Sequence, residues 1–127
     1  MKRARLVLGL IAGVVLIVSS GAHSILGWKS LSESMAVAQV PSDLQTGLRI
    51  GWQFAGAAML ALGVIVVAIF AGRLRGQRPS LLPAVAVCVL YLAFGAWALA
   101  ASGGDLFFMI FIVPGAMLGI AANGHDR

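Results

Sequence analysis

Few residues in this sequence can do chemistry, and most of them stand at the ends of apolar runs. His23 and Ser24 close the first run, Arg49, Trp52 and Gln53 open the second, and Asp105 opens the last. Arg49, Gln53 and Gly56 follow one another at steps of four and three, so on a helix they share one stripe. A cation facing other helices within a membrane needs an acceptor, because desolvating it alone is costly. Asp105 is the acid available to Arg49, and Gln53 is within reach of His23. Together with Trp52 these residues are expected to form one polar ligand-binding site. The simpler alternative is that Arg49 snorkels to water, Asp105 caps its own helix and the tryptophans form an interfacial belt. It stands ahead of the binding site.

Other chemistry lacks its residues. A bis-histidine haem needs two histidines at matched depth, and His125 lies at the far end from His23. Cys88 is the single cysteine, so there is no intrachain disulfide, no Cys-x-x-Cys pair and no thiolate cage. It sits in a Leu/Val/Ala run, where a thiol acts as a small hydrophobe. No His, Cys and carboxylate cluster has metal-ligand spacing. His-Glu-x-x-His and Gly-x-Ser-x-Gly are both missing. Small multidrug transporters share this length but need a glutamate in their first helix, where this chain has apolar and small residues. No catalytic residue, cofactor or metal is expected.

Composition sets the class. Of 127 residues, 61% are hydrophobic and 10% charged, with a formal net charge of +5. Soluble domains have about 45–50% apolar and about 25% charged residues. Mean hydropathy is +1.01 and the sequence pI near 10.8. The basic residues lie between apolar runs rather than along a helix face, so the positive charge points to membrane topology and not to nucleic acid.

Four apolar runs, Leu6 to Leu26, Ile50 to Ala71, Leu81 to Ala101 and Leu106 to Ala122, approach the length that crosses about 30 Å of hydrocarbon. A chain crossing lipid must satisfy its own backbone hydrogen bonds, so each run is expected to be helical. The expected fold is all-α: one domain over 1–127, a polytopic membrane bundle of four transmembrane helices near 5–26, 43–72, 80–101 and 105–122. Ile25, Trp28, Leu31, Met35 and Ala38 recur at steps of three or four, which predicts an amphipathic interfacial helix near 25–39. Pro41 should end it, and Ser42 with Gln45 reads as a capping box. A basic loop from Gly72 to Ser80 joins runs two and three, a Ser102–Asp105 turn joins three and four, and Pro114 predicts a kink.

Lys2, Arg3, Arg5, Arg73, Arg75, Arg78 and Arg127 place seven cations on one side, and Lys29 and Arg49 place two on the other. The positive-inside rule then puts both termini in the cytoplasm of a bacterial inner-membrane protein. Lys2 to Arg5, Leu6 to Val18 and Ser20-Gly21-Ala22 also fit a cleaved signal peptide. A retained helix is the preferred reading because apolar character resumes at Ile25. Small-x-x-x-small pairs at Gly9/Gly13, Gly47/Gly51/Ala55 and Gly115/Gly119 suit close helix packing, within the chain first and in a homo-oligomer second. With 16 glycines present, such pairs also arise by chance.

The stretch His23-Ser24-Ile25-Leu26-Gly27, followed by Leu48-Arg49-Ile50-Gly51-Trp52, resembles a group of small bacterial four-helix inner-membrane proteins. That group carries His-Ser-x-x-Gly after helix one and Arg-x-x-Trp opening helix two. An acid often follows the glycine there, and a histidine the tryptophan; this chain has Trp28 and Gln53. The resemblance implies fold and localisation and brings no activity with it. The expected role is that of a non-catalytic accessory or structural membrane protein, its partners being the lipid bilayer and a second copy or another membrane protein. The alternatives are a subunit of an oligomeric small-solute transporter or channel, and a lipid- or quinone-binding protein.

Overall fold

The computed structural model describes residues 3–123, so Lys2, His125 and Arg127 lie outside the described residues. All regular structure among them is helical. The elements are α1 (Arg3–Ala22), a π-turn (His23–Gly27), α2 (Trp28–Val37), α3 (Ser42–Leu74), α4 (Leu82–Ala101), a 3₁₀ turn (Leu106–Phe108) and α5 (Met109–Ala122). Arg3–Val37, Ser42–Leu74 and Leu82–Ala101 are each long and apolar enough to cross a membrane, and Leu106–Ala122 is a shorter apolar helix.

The helices form two antiparallel hairpins of unequal length. The first pairs a 35-residue helical run with the 33 residues of α3, about 50 Å each at 1.5 Å per residue. The second pairs the 20 residues of α4 with the 14 of α5 and its 3₁₀ lead-in, about 30 and 25 Å. Helix α1 is central: it packs on both α3 and α5, while α4 lies on α5. Leu6, Ala12 and Leu16 meet Val66, Ile69 and Phe70, then Ala84, Val87, Cys88 and Tyr91, then Leu118 and Ala121. This shared core therefore sits in the half of the molecule next to the basic loop.

Glycines set the spacing inside each hairpin. A Cβ on Gly9 would overlap the Phe70 ring, one on Gly13 would press on Val66 and Val67, and one on Gly63 would meet Ile17 and the Gly13 carbonyl. In the second hairpin Gly95 faces Ile112, Gly115 faces Leu92 and Gly119 faces Cys88. Two of the three expected small-residue pairs thus serve packing within the chain. Gly47 and Gly51 have nothing within 4 Å.

Several local expectations change. The segment expected as a separate surface helix over 25–39 continues α1 through the π-turn without a break in the helix: Ala22, Gly27 and Trp28 all keep right-handed helical dihedrals. Of the expected stripe Met35 is buried and Trp28 and Leu31 are half-buried, whereas Ile25 and Ala38 are exposed along with Lys29, Ser30, Glu33 and Ser34. Besides the π-turn, α3 is the element that α2 contacts, so protein covers the apolar face. The chain reverses at Gln39 (φ 53°), whose neighbour Val40 donates its N–H to the Met35 carbonyl at 3.1 Å. No capping box opens α3. Pro41 supplies an extended entry (φ −56°, ψ 145°), and the Gln45 amide instead donates to the Val40 carbonyl at 2.7 Å. Helix α4 starts at Leu82 rather than 80, because Ser80 Oγ accepts the Leu82 N–H and Pro83 occupies the first turn. Helix α5 runs through Pro114, which is fully buried.

Candidate functional site

At the end of the molecule opposite the basic loop, the π-turn and α3 grip one another through reciprocal bonds. The Trp52 indole N–H donates to the His23 carbonyl at 2.8 Å, and His23 Nε2 meets the Trp52 carbonyl at 3.2 Å. A carbonyl only accepts, so His23 Nε2 is the donor in this bond. The two rings stack at 4.3 Å between centroids and 6° between planes. One residue further along, the Gln53 amide donates to the Ser24 carbonyl at 3.0 Å.

The local sequence explains why the grip forms here. A π-turn bonds i to i+5 instead of i to i+4, so it widens the helix and offsets its carbonyls from the regular ladder. The Trp28 N–H reaches back to the His23 carbonyl, which then also takes the Trp52 indole. Close approach is allowed by two glycines, one on each helix. Gly27 lies under the Trp52 ring, where a Cβ would come within 3.0 Å, and Gly56 lies under the Ser24 hydroxyl, where a Cβ would overlap it. His23, Ser24 and Gly27 therefore interlock with Trp52, Gln53 and Gly56.

Beside this clasp runs an open-sided cleft of about 720 Å³, lined by His23, Asp43, Leu44, Gly47, Gly51 and Trp52 among others. Gly47 and Gly51 form its floor by having no side chain, and exposed Leu44 and Leu48 stand along it.

Of the five residues expected to share a site, three come together and two do not. His23, Trp52 and Gln53 meet, although Gln53 bonds the carbonyl of Ser24 rather than the imidazole. Arg49 and Asp105 do not pair: both are exposed, and α3 has no contact with the 3₁₀ turn that Asp105 opens. Asp105 caps that turn instead, its Oδ1 accepting the Phe107 N–H at 2.9 Å. Asp43 is a cleft residue that sequence reasoning assigned only to the start of α3; its step of four before Gly47, eight before Gly51 and twelve before Ala55 was the available signal. Among the described residues no three His, Cys, Asp or Glu side chains gather closely enough to hold a metal. Protein-family models, curated proteins and solved structures compared with this chain give no match.

Proposed function

We propose that this chain is a multi-pass protein of a bacterial inner membrane, with both termini in the cytoplasm, and that it works without catalysis as an accessory or structural component through helix contacts. The observation that carries this reading is the clasp: the polar side chains that stood out as chemistry are engaged in tying one helix to another. Trp52 and Gln53 spend their N–H groups on carbonyls of the π-turn, and His23 spends Nε2 in return. Four of the five motif residues that carry the resemblance to the small four-helix family, His23, Ser24, Gly27 and Trp52, also interlock, while Arg49 stands exposed beside them. This supports reading that pattern as a folding device held in common. The first hairpin overshoots the second by roughly 20 Å, offering α2 and the start of α3 to another protein.

The test is proximity labelling in the membrane. A photo-crosslinker placed at Val37, which is 87% exposed, should yield adducts with a defined polypeptide, either a second copy or a partner. Adducts with lipid alone would overturn the reading. Reporter fusions after Arg127 and within residues 30–40 should fall on opposite sides of the membrane.

The cleft supports a second reading, in which an amphipathic small molecule such as a lipid or quinone lies along Leu44, Leu48 and Trp52 with its polar end near His23 or Asp43. A lipid extract of the purified protein that reproducibly contains one such species, lost in Gly51→Leu, would favour it over the first.

A further inference from the structure

Among the described residues the acidic side chains are confined to one end of the molecule. Arg3 and Arg5 begin α1, and the antiparallel pairing of Gly9 with Phe70 sets them beside Arg73, Arg75 and Arg78 at the end of α3. The described acids, Glu33, Asp43 and Asp105, all belong to the other end. Arg3, Arg5, Arg75 and Arg78 are exposed, and no carboxylate among the described residues stands near them.

The loop that carries two of these cations has a fixed shape. Gly76 (φ 83°) turns the chain out of α3, with its N–H on the Arg73 carbonyl at 3.0 Å and the Gln77 N–H on the Gly72 carbonyl at 3.0 Å. Arg73 folds back across the loop, its Nε and Nη2 donating to the Pro79 carbonyl at 3.2 and 3.0 Å. One arginine thus braces the loop from inside while Arg75 and Arg78 project from it. Apolar surface follows at once: Leu82 is 73% exposed and opens the apolar helix α4, and Val7 stands exposed one turn above Arg3. Guanidinium groups within a turn or two of exposed aliphatic side chains match the depth of phosphates at a hydrocarbon edge, and a guanidinium binds phosphate oxygens two at a time.

We propose that Arg3, Arg5, Arg75 and Arg78 form a docking face for the headgroups of anionic phospholipids in the adjoining leaflet. The apolar rim favours lipid over a soluble polyanion, which would need a polar surround. This inference rests on the membrane reading given above.

The experiment uses the full chain reconstituted in vesicles of phosphatidylcholine with one-fifth phosphatidylglycerol, followed by release into detergent and native mass spectrometry. Phosphatidylglycerol should be retained about tenfold over its share, and 0.5 M salt should erase most of that preference. Arg75→Gln with Arg78→Gln should lower the preference several-fold. The Lys versions should keep the greater part of it, and Lys29→Gln with Arg49→Gln should leave it unchanged. Wild-type protein that inserts yet retains both lipids equally would overturn this proposal alone. So would an acidic polypeptide bound at this end and lost in the Gln variants. Protein that carbonate washes off the vesicles would overturn the membrane reading, and this one with it.

Discussion

The two hairpins solve the same packing problem with different means. In the second, α4 and α5 approach through Gly95, Gly115 and Gly119 and pack Tyr91 and Phe94 each against Phe111, with ring centroids 5.9 and 5.0 Å apart. No side-chain hydrogen bond between the two helices is recorded among the described residues. The first uses glycines near the basic loop but changes to polar, backbone-directed bonds at the π-turn. On the proposed membrane reading, depth explains the difference. Lipid tails are as apolar as the side chains they replace, so within them association relies on close van der Waals fit. Near the headgroups water competes, and ring stacking with carbonyl bonds defines a register that apolar contacts leave loose. On the same reading, the shorter hairpin never reaches that zone with a second helix beside it.

This comparison breaks first at a glycine. Gly63→Leu should cost about 3 kcal/mol or more, because the new side chain meets backbone, the Ile17 nitrogen and the Gly13 carbonyl, and backbone cannot repack. Unfolding in mixed micelles followed by circular dichroism measures it. Gly51→Leu, which enters open space, should change stability by less than about 0.5 kcal/mol. Equal losses at both positions would mean that glycine contacts do not hold the first hairpin together.

The clasp comes next. His23→Ala removes the bond to the Trp52 carbonyl and Trp52→Ala the bond to the His23 carbonyl, while either one removes the shared ring stack. The double variant should therefore fall short of the sum of the singles by about 0.5–1.5 kcal/mol, the worth of the stack. Additive losses would reduce the clasp to two independent side chains.

A smaller effect of opposite sign is expected in the second hairpin. The Tyr91 hydroxyl is buried without a hydrogen-bond partner among the described residues. Tyr91→Phe should leave stability equal or raise it by up to about 1 kcal/mol. A loss of that size would show that the hydroxyl has found a partner.

Arg49→Ala and Asp105→Asn should have the least effect, below about 0.5 kcal/mol each and additive, since the two residues do not meet. A coupling energy between them would revive the ion pair expected from their sequence positions.

The apolar runs, their order and the basic loop were legible because hydrophobic length and charge placement are properties of sequence alone. Of the stripe read at Ile25, Trp28, Leu31, Met35 and Ala38 only the middle three positions are covered, since periodicity marks a face and not how much of it finds a neighbour. The site was half legible. His23, Trp52 and Gln53 stood out as polar groups at costly depth, yet their partners are carbonyls, which every residue has and no side-chain pattern marks. The Arg49–Asp105 pairing failed on topology: α3 sits against α1, away from the turn before α5.

The π-turn also settles a matter of phase. On α3 the contact face from Phe70 to Trp52 spans about five whole turns of 3.6 residues, so that helix returns to its starting azimuth unaided. The partner has further to go. From Gly9 to Met35 a regular helix at 100° per residue would overrun whole turns by roughly 80°, and Met35 would sit almost a quarter turn to the side of the face that Gly9 presents to α3. The wide turn at His23–Gly27 absorbs about one extra residue, which takes back most of that rotation. Coiled coils remove such drift by winding both helices around each other. This chain discharges it in a single turn, so α2 above the turn and α1 below it present the same side to one long neighbour.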